Sequence, residues 1–218
     1  YISFMGYQEF LEKYKFQTGD IILYQHKYHW VSAWDYLFNV IDFIIQKGTC
    51  SKYTHVAVVV KDPVWNKDLK GYYIIESNRE NIPDAEDHKI KMGVELIPLE
   101  YVYSSSLEGN FIYHRKLHCV RDEHFYNKWN DIHKVIHNKP YDILITDWIK
   151  ALFKWNIGDT HKTSTFWCSA LAAYIYCQLG FLEKDIDWTL VSPVEFSCKQ
   201  KQLEFIDCTL DDEVELQK

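Results

Sequence analysis

Two periods of apolar and polar residues alternate along this chain. Short apolar runs bounded by turn-forming residues predict strands at 21–24, 55–60, 71–76, 93–97 and 110–115. The turn Phe16-Gln17-Thr18-Gly19-Asp20 leads into the first, Asp62-Pro63 ends the second, Gly71 opens the third, and Asn81-Ile82-Pro83-Asp84 precedes the fourth. Between 30 and 46 the period changes. Ser32, Asp35, Asn39, Asp42 and Gln46 are spaced 3, 4, 3, 4, which draws a narrow polar stripe on a helix with a wide apolar face. Further helices are predicted over about 122–138, over 143–155 and from Cys168 to Gly180, where glycine suits the left-handed position after a helix end. Ser192-Pro193-Val194-Glu195 has the capping-box form with proline at the first helical position, and 203–207 reads as a last strand. Runs of strands flanked by helices, without strict alternation, predict an α+β fold with an antiparallel sheet packed against helices. No repeat, low-complexity tract or Gly/Ser linker divides the chain, so residues 1–218 are expected to form one domain.

Composition narrows the partners. The 218 residues are 47% hydrophobic and 17% aromatic, enough to bury a sizeable core, and the net charge of −7 supplies no basic stripe for nucleic acid. The run Asp211-Asp212-Glu213-Val214-Glu215 reads as a solvated tail. A helix over 30–46 would extend roughly 25 Å, short of a ~30 Å hydrocarbon core, and it carries two aspartates. Its wide apolar face is expected to be buried, with a peripheral lipid or membrane contact as the alternative. Cys50, Cys119, Cys168, Cys177, Cys198 and Cys208 include no C-x-x-C pair. A chain of this size needs no disulfide staples, so reduced thiols in a cytoplasmic compartment are expected; no signal peptide is visible.

The candidate chemistry centres on Cys168. It follows the hydroxyl cluster Thr163-Ser164-Thr165 and opens an apolar helical run, so Thr165 or a neighbour would cap a helix and leave Cys168 in its first turn. Unpaired N–H groups and the positive end of the helix dipole favour a thiolate there. His55 stands at the mouth of the second strand. If Val60 pairs with Gly71, the paired positions sum to 131 and His55 lies opposite Glu76, on the face shared by Ala57, Val59 and Ile74. Asn78, two positions along the same face, is the reserve partner. A nucleophile, an imidazole base and a carboxylate that orients it form a cysteine-hydrolase set. The plainer alternatives are a small buried cysteine, a structural histidine and a strand-end charge.

These segments also resemble a known family. Thr18-Gly19-Asp20-Ile21-Ile22, Tyr53-Thr54-His55-Val56-Ala57-Val58-Val59, Ile75-Glu76-Ser77, Pro140-Tyr141-Asp142, Trp167-Cys168-Ser169-Ala170-Leu171 and Ser192-Pro193 together resemble the permuted NlpC-type papain-like amidases, over about residues 17 to 197. That group includes bacterial and poxvirus-like members and is related to lecithin-retinol acyltransferase-like proteins. The resemblance implies a circularly permuted papain-like fold, with the histidine strand ahead of the cysteine helix. It implies Cys168 as nucleophile, His55 as base and Glu76 as orienting acid, with Tyr141 or Tyr53 in the place of a tyrosine near the nucleophile. The stretch 26–50 is long for compact members of the group.

The activity expected is hydrolysis of an amide, peptide or acyl bond through a covalent acyl-enzyme. The alternatives are lipid acyl transfer or ester hydrolysis at the same site, with the 30–46 helix lining an acyl pocket, and a domain that binds lipid or protein without catalysis. No metal or cofactor is expected. His133 and His137 have the i, i+4 spacing that can hold zinc, but no Glu follows His133 as in H-E-x-x-H, so they read as a solvated helix face. His114, His118 and Cys119 form no complete ligand set, and no glycine-rich phosphate loop is present.

Overall fold

The computed structural model describes residues 4–25, 52–78, 82–108, 110–141, 163–199 and 203–217. The predicted helices at 30–46 and 143–155 lie outside the described residues. The rest form an α+β architecture. The strands are β1 (Ile21–Gln25), β2 (His55–Lys61), β3 (Tyr72–Asn78), β4 (Gly93–Pro98), β5 (Phe111–Arg115), β6 (Leu117–His118), β7 (Thr209–Leu210) and β8 (Val214–Glu215). The helices are α1 (Phe4–Tyr14), α2 (Glu100–Leu107), α3 (Glu123–Ile136) and α4 (Cys168–Leu179), with 3-10 turns at Trp188–Leu190 and Pro193–Phe196. Six strands make one antiparallel sheet in the order β4-β3-β2-β1-β5-β8, and β6 pairs with β7 in a separate ribbon.

Near-continuous apolar runs in the central strands reflect a sheet covered on both faces. Val56, Val58 and Val60 of β2 face a core shared with Trp129 and Ile132 of α3 and with Leu171 and Ile175 of α4. Ala57 and Val59 face the other core, with Phe10 and Leu11 of α1 and Val102 of α2. α3 presents Phe125, Trp129, Ile132 and Ile136 as one buried stripe, and Asp122 caps it by accepting the Phe125 N–H at 2.9 Å. Almost every side chain of α4 is buried, so this helix runs through the interior rather than along it. It ends at Gly180, whose φ of 86° permits the Phe181 N–H to reach Tyr176 O at 2.8 Å.

Three expectations change. α1 and α2 are additions; α2 contains three consecutive serines, weak helix formers, and is held through buried Val102 and Tyr103. Residues 203–207 are not a strand, because the Ile206 N–H bonds to Phe181 O while Leu203 and Phe205 pack singly against the core. The acidic C-terminal run is not a solvated tail. Val214 and Glu215 add an edge strand to β5, and Glu213 accepts the Cys198 N–H at 3.0 Å.

Candidate active site

Cys168 is the first residue of α4. The predicted cap at Thr165 is displaced by two residues: Trp167, in extended conformation, is the N-cap and provides no side-chain hydrogen bond. The first N–H groups of a helix have no carbonyl to bond within it, so those around Cys168 remain available to a negative group. Cys168 as a whole is 7% exposed.

The hairpin of β2 and β3 has a different register from the one expected. Val60 pairs with Tyr73, not Gly71, and paired positions sum to 133. The turn closes one step later because Asp62 takes a φ of 47° and its carboxylate accepts the Gly71 N–H, while its own N–H donates to Gly71 O, both at 2.8 Å. A shift of two preserves the parity of every side chain. His55 and Glu76 therefore stay on one face as diagonal neighbours, and His55 Nε2 meets Glu76 Oε2 at 2.6 Å.

The β2–β3 ladder ends at Val58↔Ile75, and the chain entering α4 lies across the strand ends beyond it. Ser77 Oγ donates to Phe166 O at 2.6 Å, and Cys168 Sγ lies 4.0 Å from Thr54 O. The Cys168 thiol is among the groups that interact with the His55 ring. With Nε2 committed to Glu76, Nδ1 is the nitrogen left for sulfur. Burial opposes protonation of His55. The Glu76 carboxylate first, and then the neighbouring Cys168 sulfur, outweigh it and hold the imidazole well above its ordinary value. Asn78 does not hold His55; its Nδ2 donates to Glu76 Oε1 at 3.2 Å and steadies the carboxylate.

The two candidate tyrosines separate. Tyr141 pairs with Phe166 in an isolated parallel bridge, two residues ahead of Cys168. Tyr53 is buried edge-on to Tyr113, with Glu213 of the C-terminal segment among the charges near its hydroxyl. Pro140 bridges to Gly93, where an added Cβ would stand 2.2 Å from Lys139 O, so glycine there lets the 139–141 segment lie against β4. Sequence reasoning missed Glu95, 1% exposed and directly paired with Glu76 across β3 and β4. It also missed the tie from Ser77 to Phe166. Extending the alternation to a third strand would have placed Glu95 on the same face; nothing local to Ser77 foretells its partner 89 residues away.

His133 is half-buried and His137 exposed, and both are engaged rather than simply solvated. Glu86, from the turn before β4, faces both: Oε2 hydrogen-bonds to His133 Nε2 at 3.0 Å and lies 3.3 Å from His137 Nδ1. Among the described residues, these three form the one cluster of this kind able to hold a metal ion. No described helix is long and apolar enough to cross a membrane.

No protein-family model matches the chain, and no curated protein matches it. Among solved structures it is similar to the metalloprotein yiiX from Escherichia coli O157:H7, of the DUF1105 group. The identity is 18% over 91% of this chain and 97% of that one, with a TM-score of 0.48.

Proposed function

We propose that this protein is a cysteine hydrolase of permuted papain-like architecture, cleaving an amide, peptide or acyl bond at Cys168. One observation carries the reading. A thiol at an uncapped helix start lies in reach of an imidazole whose other nitrogen is fixed by a buried carboxylate at 2.6 Å. A buried cysteine serving only as packing needs neither partner.

In the proposed reaction, His55 Nδ1 takes the proton from Cys168 Sγ and the thiolate attacks the substrate carbonyl carbon. The carbonyl oxygen becomes an oxyanion, which the Cys168 N–H at the helix start and a neighbouring donor stabilise. Collapse expels the amine or alcohol, protonated by the imidazolium, and leaves a thioester on Sγ. His55 then removes a proton from water, which attacks the thioester; the acid departs and the thiol reforms. Glu76 keeps Nδ1 aimed at sulfur and stabilises the imidazolium, supported by Asn78. Tyr141 is assigned to the wall of the site, beside the strand that delivers Cys168.

Competitive alkylation with a limiting dose of iodoacetamide, read by mass spectrometry, tests the nucleophile. Burial pushes the thiols of Cys177 and Cys208 up to about 12, so Cys168 is expected to be labelled first near neutral pH. Labelling no faster than at Cys177 or Cys208 removes the assignment. Amide and lipid-ester activity probes, run side by side, then separate peptide or amide substrates from acyl lipids.

A further inference from the structure

We propose that Glu86, His133 and His137 form a binding site for a borderline divalent cation, zinc above all, separate from the cysteine site. The ligand set is two imidazole nitrogens and one carboxylate oxygen, which suits zinc and leaves one coordination position open to water. The three ligand atoms lie within 4.8 Å of one another. Zinc ligands about 2.0–2.1 Å from the metal stand about 3.3 Å apart in a tetrahedron. Glu86 Oε2 lies 3.0 Å from His133 Nε2 and 3.3 Å from His137 Nδ1, so two of the three ligand pairs already stand near that spacing.

The surroundings hold the ligands in place. Trp65 Nε1 donates to Glu86 Oε1 at 2.9 Å, which leaves Oε2 as the atom aimed at the histidines. The Trp65 ring stacks on His133 at 4.4 Å, nearly parallel, and fixes that imidazole. His133 is in α3, whereas His137 is the residue that caps its end, with a φ of −54° and a ψ of 129°. An ordinary ion pair requires one imidazole for one carboxylate; here two converge on a single oxygen.

Asn138 makes the proposal testable against a merely hydrogen-bonded cluster. Its Nδ2 faces His137 Nε2 at 2.8 Å, while Lys91 Nζ donates to its Oδ1 at 2.6 Å. A cation on Nδ1 requires the His137 proton to sit on Nε2, where an acceptor is needed instead of a donor. Lys91 has Asp84 Oδ2 at 2.9 Å as another partner, so the amide can turn over when the ion binds. Asn138→Asp supplies the acceptor permanently, and the left-handed φ of 56° suits aspartate as it does asparagine.

The experiment titrates the full chain with Zn²⁺ against a chromophoric chelator and records the spectrum of the Co²⁺ form. One equivalent is expected, without the thiolate charge-transfer band that cysteine ligands would give. His137→Ala and Glu86→Gln should each lose ~100-fold or more in affinity, Trp65→Phe about 10–100-fold, and Asn138→Asp should bind more tightly than the parent. His137 is 37% exposed at its side chain, so its truncation leaves the core in place, and circular dichroism checks this. Unchanged zinc affinity in both His137→Ala and Glu86→Gln, a thiolate band, or no uptake at all would overturn the site. The reading of Cys168 stands or falls separately, by alkylation.

Discussion

His55 with Glu76 and His114 with Asp20 are built alike, yet their surroundings differ. Both pairs join an imidazole on the main sheet to a buried carboxylate, at 2.6 and 2.8 Å. The Asp20 carboxylate also accepts the N–H groups of Gln17 and Leu117, both at 2.9 Å, and His114 is closed in by Phe16 and Tyr14. Both side chains are buried, Arg121 also approaches Asp20 at 3.5 Å, and the pair ties the turn before β1 to β5. The His55–Glu76 pair is incomplete without the thiol, because the ladder stops short of it and α4 begins there. A short histidine–carboxylate distance therefore identifies nothing by itself; what meets the second ring nitrogen decides.

Four variants press on this difference. Removing the nucleophile should have the largest effect: Cys168→Ala is expected to lose about 10³-fold or more in turnover of a cleavable substrate, with its circular dichroism unchanged. Next, the two carboxylates should separate by phenotype. Glu76→Gln should lower kcat about 10²–10⁴-fold with a shift in the urea midpoint smaller than that of Asp20→Ala. Asp20→Ala should do the reverse, costing about 3–5 kcal/mol in a urea titration because it strips a buried network of its acceptor, while the remaining folded fraction keeps its kcat. Equal behaviour of the two variants would erase the distinction.

Titration of His55 gives a smaller but more direct signal. Its raised value means that protonation stabilises the native state. That contribution is complete below the unfolded value near pH 6.5 and disappears as pH rises through the higher folded value. The stability gap between the parent and Glu76→Gln should accordingly narrow at high pH, and the His55 ring signals in NMR should titrate lower in the variant. The smallest effect belongs to Asn78→Ala, expected to reduce kcat less than about tenfold, since it only steadies Glu76. A larger loss than that of Glu76→Gln would make Asn78 the true orienter.

The pairing of His55 with Glu76 was legible because period 2 survives an even error in register. The predicted sum of 131 was wrong by two, and an error of one would have lost the pair. Cys168 was legible for a related reason: the change from hydroxyl residues to an apolar run marks a helix start even when the cap is misassigned. The Glu86 cluster was not. His133 and His137 show their spacing openly, but their partner sits 47 residues from His133 in a turn that has no period. α1 and α2 escaped because their helicity is settled by packing on the sheet more than by their own sequence. Extended coverage of the sheet by helices was visible in the apolar strands; which helices supply it was not.

Gly93 has a consequence for genetics. A methyl group there must push the 139–141 segment off β4, and that segment carries the bridge from Tyr141 to Phe166, two residues before Cys168. Gly93→Ala should therefore behave as a conditional allele, functional at low temperature and failing when warmed, although residue 93 lies 75 positions from Cys168 and touches none of the reacting groups. In a screen for loss of function, such hits at the 93/140 seam would mark the scaffold of the site rather than its chemistry, and suppressors should fall in 139–141.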